Sequence, residues 1–150
     1  MDQVTDYFAQ KRNPGSRYRV FDPKDPHETN TGPFYWRKRD GQLQFAFRVQ
    51  EKNCNSGGIV HGGQLMTFAD LMMCGFATEG TDDRGVFTVS FNSEFVASGQ
   101  LGQLIKARAE VVRRTARMAF VRGELYVDGD NGGRDVILTC SGVFRRLRAA

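Results

Sequence analysis

Apolar and polar positions along this chain change period twice, and the changes divide it into elements. From Phe34 the pattern is that of strands: Phe34-Tyr35-Trp36-Arg37-Lys38, a turn at Asp40-Gly41, then Leu43, Phe45, Phe47 and Val49 alternating with Gln44, Ala46, Arg48 and Gln50. That alternation across a two-residue turn predicts a β-hairpin. From Gly62 to about Thr78 the spacing lengthens, with Leu65, Ala69, Met72 and Phe76 stepping by four, three and four, the period of a helix. After Gly80 the strand pattern returns, with strands expected near 86–96, 102–114, 117–128 and 134–146 and a hairpin turn over Asp128–Gly133. The order is ββαββββ. It predicts an α+β fold in which a mainly antiparallel sheet curls around one long helix.

The stretch before the first hairpin reads differently. Residues 2–11 suit a short helix with Val4 and Phe8 on one side. Pro14, Gly15, Pro23, Pro26, Gly32 and Pro33 then predict irregular chain wrapping the domain surface. The expected organisation is an N-terminal extension over 1–33 and one domain over 34–150.

Composition excludes several classes. At 150 residues, 40% hydrophobic and 25% charged, the chain has the make-up of one globular domain. No apolar run is long enough to span a membrane, and MDQVTDYFAQKR has no apolar signal region, so a cytoplasmic protein is expected. The three cysteines, Cys54, Cys74 and Cys140, form no CxxC pair, and there are only two histidines, His27 and His61. Neither a disulfide framework nor a metal site is expected. A formal net charge of +4 is too small to argue for nucleic-acid binding, though it suits a nucleotide phosphate.

The helix is chemically unusual. Between His61 and Glu79 its only charged residue is Asp70. A solvated helix face would carry several charges, so this helix is expected to be covered on nearly all sides. A carboxylate there is costly unless it is paired or functional. Burial should raise its pKa. The alternative is a structural Asp bonded to a neighbouring loop. His61-Gly62-Gly63 opens the helix, where free backbone N–H groups favour developing negative charge and glycines admit a ligand close to the backbone. That is a candidate oxyanion hole. His61 could equally be a structural histidine.

Asn55-Ser56-Gly57-Gly58-Ile59-Val60-His61-Gly62-Gly63, with Asp70 nine residues after the histidine, resembles the N-x-x-G-x-x-H-G-G signature of phenylacetyl-CoA-thioesterase-like (PaaI-like) hotdog enzymes. The likeness extends through Thr88-Val89-Ser90-Phe91-Asn92 and Leu101-Gly102 and covers about residues 35–146. It implies hydrolysis of acyl-CoA by a hotdog-fold enzyme without a cofactor, CoA being part of the substrate. It assigns Asp70 as general base or nucleophile and the Gly62 amide as the donor that polarises the carbonyl. His61 and Asn55 orient the loop and the thioester. Thr88 stands where the family often has a Ser or Thr that positions the water or the acid, although it could be an ordinary strand threonine. Gly63, Met66 and Met73 are expected against the substrate, with Phe68 and Phe76 as further apolar walls.

Two further expectations come from the residues themselves. Gly62 and Asp70, eight residues apart on one helix, are about 12 Å apart along it, so one carbonyl cannot touch both in the same chain. The site should be shared between two chains of a homodimer, and two dimers can join as a tetramer. Arg113, Arg114 and Arg117 bracket a turn and are candidates for the CoA phosphates, with a solvated hairpin end as the alternative. The run Arg145-Arg146-Leu147-Arg148 reads as a soluble terminus. The rival functions are a hotdog hydratase or dehydratase, whose His-plus-carboxylate motif is not found, and a hotdog domain that binds acyl-CoA without cleaving it.

Overall fold

The computed structural model describes residues 15–149, so the helix expected over 2–11 lies outside the described residues. The predicted hairpin forms from β2 (Tyr35–Arg39) and β3 (Gln42–Arg48). Its turn places Asp40 and Gly41 at φ 51° and 76°, the left-handed pair that a two-residue hairpin requires. The long helix, here α2, spans Gly62–Thr78. The four later strands are β4 (Gly85–Phe95), β5 (Leu104–Arg114), β6 (Met118–Asp128) and β7 (Arg134–Leu147).

The segment before the hairpin is more ordered than its prolines and glycines suggest. It contributes a two-residue strand, β1 (Arg19–Val20), and a six-residue helix, α1 (Pro26–Thr31). The signal for α1 is local: Asp25 caps the helix by accepting from the Glu28 N–H, and Pro26 takes the first helical position. Phe21 and Phe34 flank α1 and anchor it. Phe21 packs edge-on to Trp36 at 5.1 Å, and Phe34 stacks on Phe68 of α2 at 5.6 Å.

Among the described residues the strands form one antiparallel sheet in the order β1-β2-β3-β5-β6-β7-β4. It wraps α2, whose Leu65, Phe68, Ala69, Met72 and Met73 are buried against Phe45, Phe47, Ile105, Leu125, Leu138 and Phe144. Two features place the functional residues. The strand β4 has β7 on one side and a free edge on the other. Its register slips between Thr88 and Ser90, a bulge at Val89. Such bulges re-aim side chains beside functional sites.

Coverage of α2 is incomplete in the single chain. Gly63 and Met66 are exposed, and Thr67 and Asp70 are half-buried, so an open strip runs along the helix from its start to Asp70. The C-terminal arginines are not a loose terminus. Arg145, Arg146 and Leu147 belong to β7, and Arg146 Nε donates to the buried Asp83 at 2.7 Å. A carboxylate as buried as Asp83 needs such a partner, which is why this arginine is drawn out of solvent.

Candidate active site

The first half of the site is Asp70. Thr88, on β4, donates its hydroxyl to Asp70 Oδ1 at 2.6 Å. Burial pushes the Asp70 carboxyl above its ordinary value, and the Thr88 hydrogen bond opposes part of that rise. With its hydrogen donated to the acid, the Thr88 oxygen retains acceptor capacity for a water.

Asp70 and Thr88 line a cavity of about 400 Å³, a size suited to a small-molecule group. The cavity follows α2 toward its C-terminus along Asp70, Leu71, Cys74 and Thr78. Val86 and Phe87 of β4 face this helix stripe, and Phe21, Trp36 and Leu43 close the far side. Met66, Phe68, Met73 and Phe76, expected as walls, do not line it. Phe68 and Met73 are fully buried in the core, Met66 lies on the open strip and Phe76 packs against Phe45. A sequence signal for the wall of this cavity did exist: Cys74 and Thr78 follow Asp70 at intervals of four, so they share its stripe.

The second half is the start of α2. His61 caps the helix, its Nδ1 accepting from the Gly63 N–H at 2.9 Å. That nitrogen must carry a lone pair, so the neutral ring has its proton on Nε2. The Gly63 amide is thereby occupied and cannot also serve a carbonyl. The Gly62 amide has no acceptor among the described residues. Behind it, Asn55 clamps the preceding turn: its Oδ1 accepts from Gly57 N at 2.9 Å and its backbone N–H donates to Ile59 O at 2.8 Å. The sequence-predicted residues thus fall in two groups, Asp70 with Thr88 and Asn55 with His61, Gly62 and Gly63. A single chain does not bring the groups together: none of Asn55, His61 and Gly62 lines the cavity of Asp70.

The arginines separate. Arg114 caps the other end of α2, donating to the backbone carbonyls of Phe76, Ala77 and Glu79 at 3.0–3.1 Å. Terminal carbonyls without intrahelical partners attract a cation, and this one is committed to them rather than to a phosphate. Arg113 and Arg117 are exposed.

Other chemistry is limited. Cys140 is buried, which pushes its thiol up to about 12, and all three cysteines are free. Asp22, Asp25 and Glu28 approach one another closely enough to be counted as a metal-sized cluster, but all three are only half-buried acids. Among the described residues no helix is long and apolar enough to cross a membrane.

An antiparallel sheet curved around one long helix that carries a lone carboxylate defines a hotdog fold. The chain belongs to the thioesterase superfamily, whose family model matches residues 57–133. It is 33% identical over 116 residues to a Pseudomonas aeruginosa protein named as a candidate esterase, a match covering 75% of this chain and 82% of that one. A phenylacetic acid degradation-related protein from Ralstonia eutropha, described as a candidate thioesterase, superposes with a TM-score of 0.72 at 25% identity, over 93% of this chain and 98% of that one. A Bacillus halodurans protein solved with CoA superposes with a TM-score of 0.67 at 23% identity, over 77% and 74% of the two chains. The Escherichia coli PaaI protein does so with a TM-score of 0.63 at 18% identity, over 72% and 74%. These last two likenesses concern the fold.

Proposed function

We propose that this chain hydrolyses acyl-CoA thioesters to the free acid and CoA, with residues 34–150 as the thioesterase domain. The observation that carries this reading is Asp70, a half-buried carboxylate held by Thr88 at 2.6 Å in the wall of a cavity, in a chain of the thioesterase superfamily. The bound CoA of the Bacillus halodurans relative supports CoA as the thiol half of the substrate.

In the proposed reaction Asp70 accepts a proton from a water held beside Thr88, and the hydroxide adds to the thioester carbon. Direct attack by Asp70 is the alternative first step. Negative charge gathering on the carbonyl oxygen is met by the Gly62 N–H. Collapse breaks the carbon–sulfur bond, and CoA leaves as a thiolate that takes up a proton. Arg113 and Arg117 are the remaining candidates for its phosphates.

The site takes two chains on this reading. Gly62 and Asp70 lie on one unbroken helix, eight residues and about 12 Å apart. A homodimer has a ready seam in β4, an eleven-residue edge strand with Phe87 and Val89 63% and 59% exposed. An edge of that length is a template for pairing with another strand. A second copy beside β4 would also cover the open strip of α2.

The test is release of thiol, followed with a chromogenic reagent, from acyl-CoAs spanning chain length and aromatic groups. Wild-type protein is expected to turn over part of this panel and Asp70→Asn to lose that turnover. No release by wild-type protein from any member would favour an acyl-CoA-binding domain that does no chemistry.

A further inference from the structure

Gly62, whose amide the proposed chemistry uses, lies between two residues tethered to the same atom. The carbonyl of Thr31, at the end of α1, accepts from the side-chain amide of Asn53 at 2.7 Å and from that of Gln64 at 3.0 Å. The tethers come from opposite sides. Asn53 precedes the turn that Asn55 clamps, and Gln64 is the third residue of α2. Asn53 passes its tether on to the helix cap, because its backbone carbonyl accepts from the His61 N–H at 2.8 Å. From the other side the Gln64 N–H donates back to the His61 carbonyl at 2.9 Å. His61 and Gly62 are held between them.

The chemistry of the clasp explains its residue types. The last carbonyls of a helix have no partner within it, and a carbonyl oxygen with two lone pairs takes two donors. Asn53 and Gln64 are 2% and 7% exposed, and a buried amide deprived of its acceptor is costly. Asn53 is fixed further by its Oδ1, which accepts from the Gln50 N–H at 2.8 Å. The segment that offers the Thr31 carbonyl is itself anchored. The Phe21 N–H donates to the Phe34 carbonyl at 2.8 Å, and Phe34 stacks on Phe68, one turn after Gln64. Thr31 and Asn53 both precede the superfamily match, which begins at residue 57.

We infer that Asn53 and Gln64 are positioning residues of the active site: by clasping the Thr31 carbonyl they fix the Gly62 amide at the place where the thioester oxygen gathers charge. The N-terminal segment is on this account part of the active-site scaffold. The inference rests on the acyl-CoA reading above. Two successive glycines make the start of α2 intrinsically loose, so its position has to come from the residues around it. A donor aimed at a developing oxyanion acts only if its place is set beforehand.

Gln64→Met removes one tether with a side chain of similar length. Gln64→Asn, a second variant, keeps an amide that is one methylene too short to reach Thr31. Amide hydrogen exchange is read over residues 54–63, with β6 as the measure of an intact fold. Both variants are expected to exchange faster over 54–63 and unchanged in β6. With the acyl-CoA that wild-type protein turns over fastest, kcat is expected to fall by about tenfold, less than the ~10²–10³-fold of deleting an oxyanion donor outright. KM should stay within about twofold, since the amide acts on charge present only in the transition state. A merely structural role would lower the melting temperature and leave kcat per folded chain unmoved, and that result overturns the inference. So does a raised KM with kcat unchanged. NMR of the wild-type protein should find the side-chain amide protons of Asn53 and Gln64 protected from exchange, and rapid exchange of both would overturn the inference without any substitution. If wild-type protein releases no thiol from any acyl-CoA, while those protons are protected and both variants loosen residues 54–63, the hydrolase reading fails and the clasp on the loop stands.

Discussion

The ring of Phe95 stands against the α-carbon of Gly62: a methyl group added at Gly62 would lie 3.2 Å from ring carbon Cε1 and 3.4 Å from Cζ. The same strand holds Thr88 against Asp70 at 2.6 Å. One edge strand, β4, therefore braces both ends of the helical stretch that the proposed chemistry uses. It runs opposite to the helix, so that its start meets Asp70 and its end meets Gly62.

This contact makes a suppressor test possible. Gly62→Ala keeps the amide but pushes the helix start away from Phe95. The neighbour must give by only a few tenths of an ångström, so turnover is expected to fall by less than the ~10²-fold that follows a misplacement of about 1 Å. Adding Phe95→Leu should restore most of that loss, because the smaller side chain readmits the methyl group. A double variant no faster than Gly62→Ala, with its fold intact, would show that Phe95 does not set the position of the amide.

Asp70 should govern both rate and stability. Asp70→Asn removes the proposed base or nucleophile with little change in shape, and turnover is expected to fall on the order of 10²–10⁴-fold. Stability should move the other way. Burial raises the Asp70 pKa in the folded chain, so between the unfolded and folded values the folded state binds more protons. Wild-type stability then declines as pH rises through that window and stays reduced above it. Asp70→Asn carries no such term and should melt higher than wild type at neutral pH. Thermal melts that place the variant below wild type at every pH would contradict this.

Thr88→Val tests the hydroxyl. It removes the hydrogen bond that lowers the Asp70 pKa, so the acid limb of kcat/KM should move to higher pH, since the proposed reaction uses the ionised carboxylate. An unmoved acid limb would mean that Thr88 does not act on the acid.

Much of this was legible from residue pattern, and the exceptions have physical causes. Alternation at Leu43, Phe45 and Phe47 predicts β3 because those side chains face a core and their neighbours do not. Asp70 stands out because a lone charge in an apolar helix needs a reason. The helix α1 was hidden because its signal, Asp25 followed by Pro26, lies among prolines and glycines that suggest loop. Met73 lies in the core rather than in the cavity wall; apolar character does not say which flank of a helix faces a cavity, and the stripe of Asp70 does. Arg114 looked like its neighbours until the fold brought it to the end of α2, thirty-five residues or more away from its acceptors in sequence.

The arginines should now separate by experiment. Arg114→Ala removes hydrogen bonds to three carbonyls at the end of α2 and should destabilise the fold by about 1–3 kcal/mol in urea titrations, with little effect on KM. Arg113→Ala and Arg117→Ala should leave stability nearly unchanged and raise KM for acyl-CoA. With a short acyl thioester lacking the nucleotide they should behave as wild type, because a contact to the nucleotide alone is uniform binding. Equal losses on both substrates would assign these residues a structural role.

The shared site is the prediction that depends most on geometry. Helix α2 is continuous from Gly62 to Thr78, so the ~12 Å between the Gly62 amide and Asp70 cannot close within one chain. The cavity of Asp70 accordingly contains neither His61 nor Asn55. Two copies related by a two-fold axis, with their helices antiparallel, would set the start of one helix beside the middle of the other and make two equivalent sites. Asp70→Asn disables one half of each site. Asn55→Ala with His61→Ala disables the other, by releasing the turn that Asn55 clamps and the cap that His61 places on Gly63. Each variant alone should be nearly inactive. Co-expressed, they form heterodimers in which one site has both intact halves and the other has neither. Half of the dimers in a statistical mixture are heterodimers, and half of their sites work, so about a quarter of wild-type activity should return. Heterodimers that form, as judged by differently tagged chains, and yet recover nothing would place the whole site within one chain and refute the two-chain arrangement.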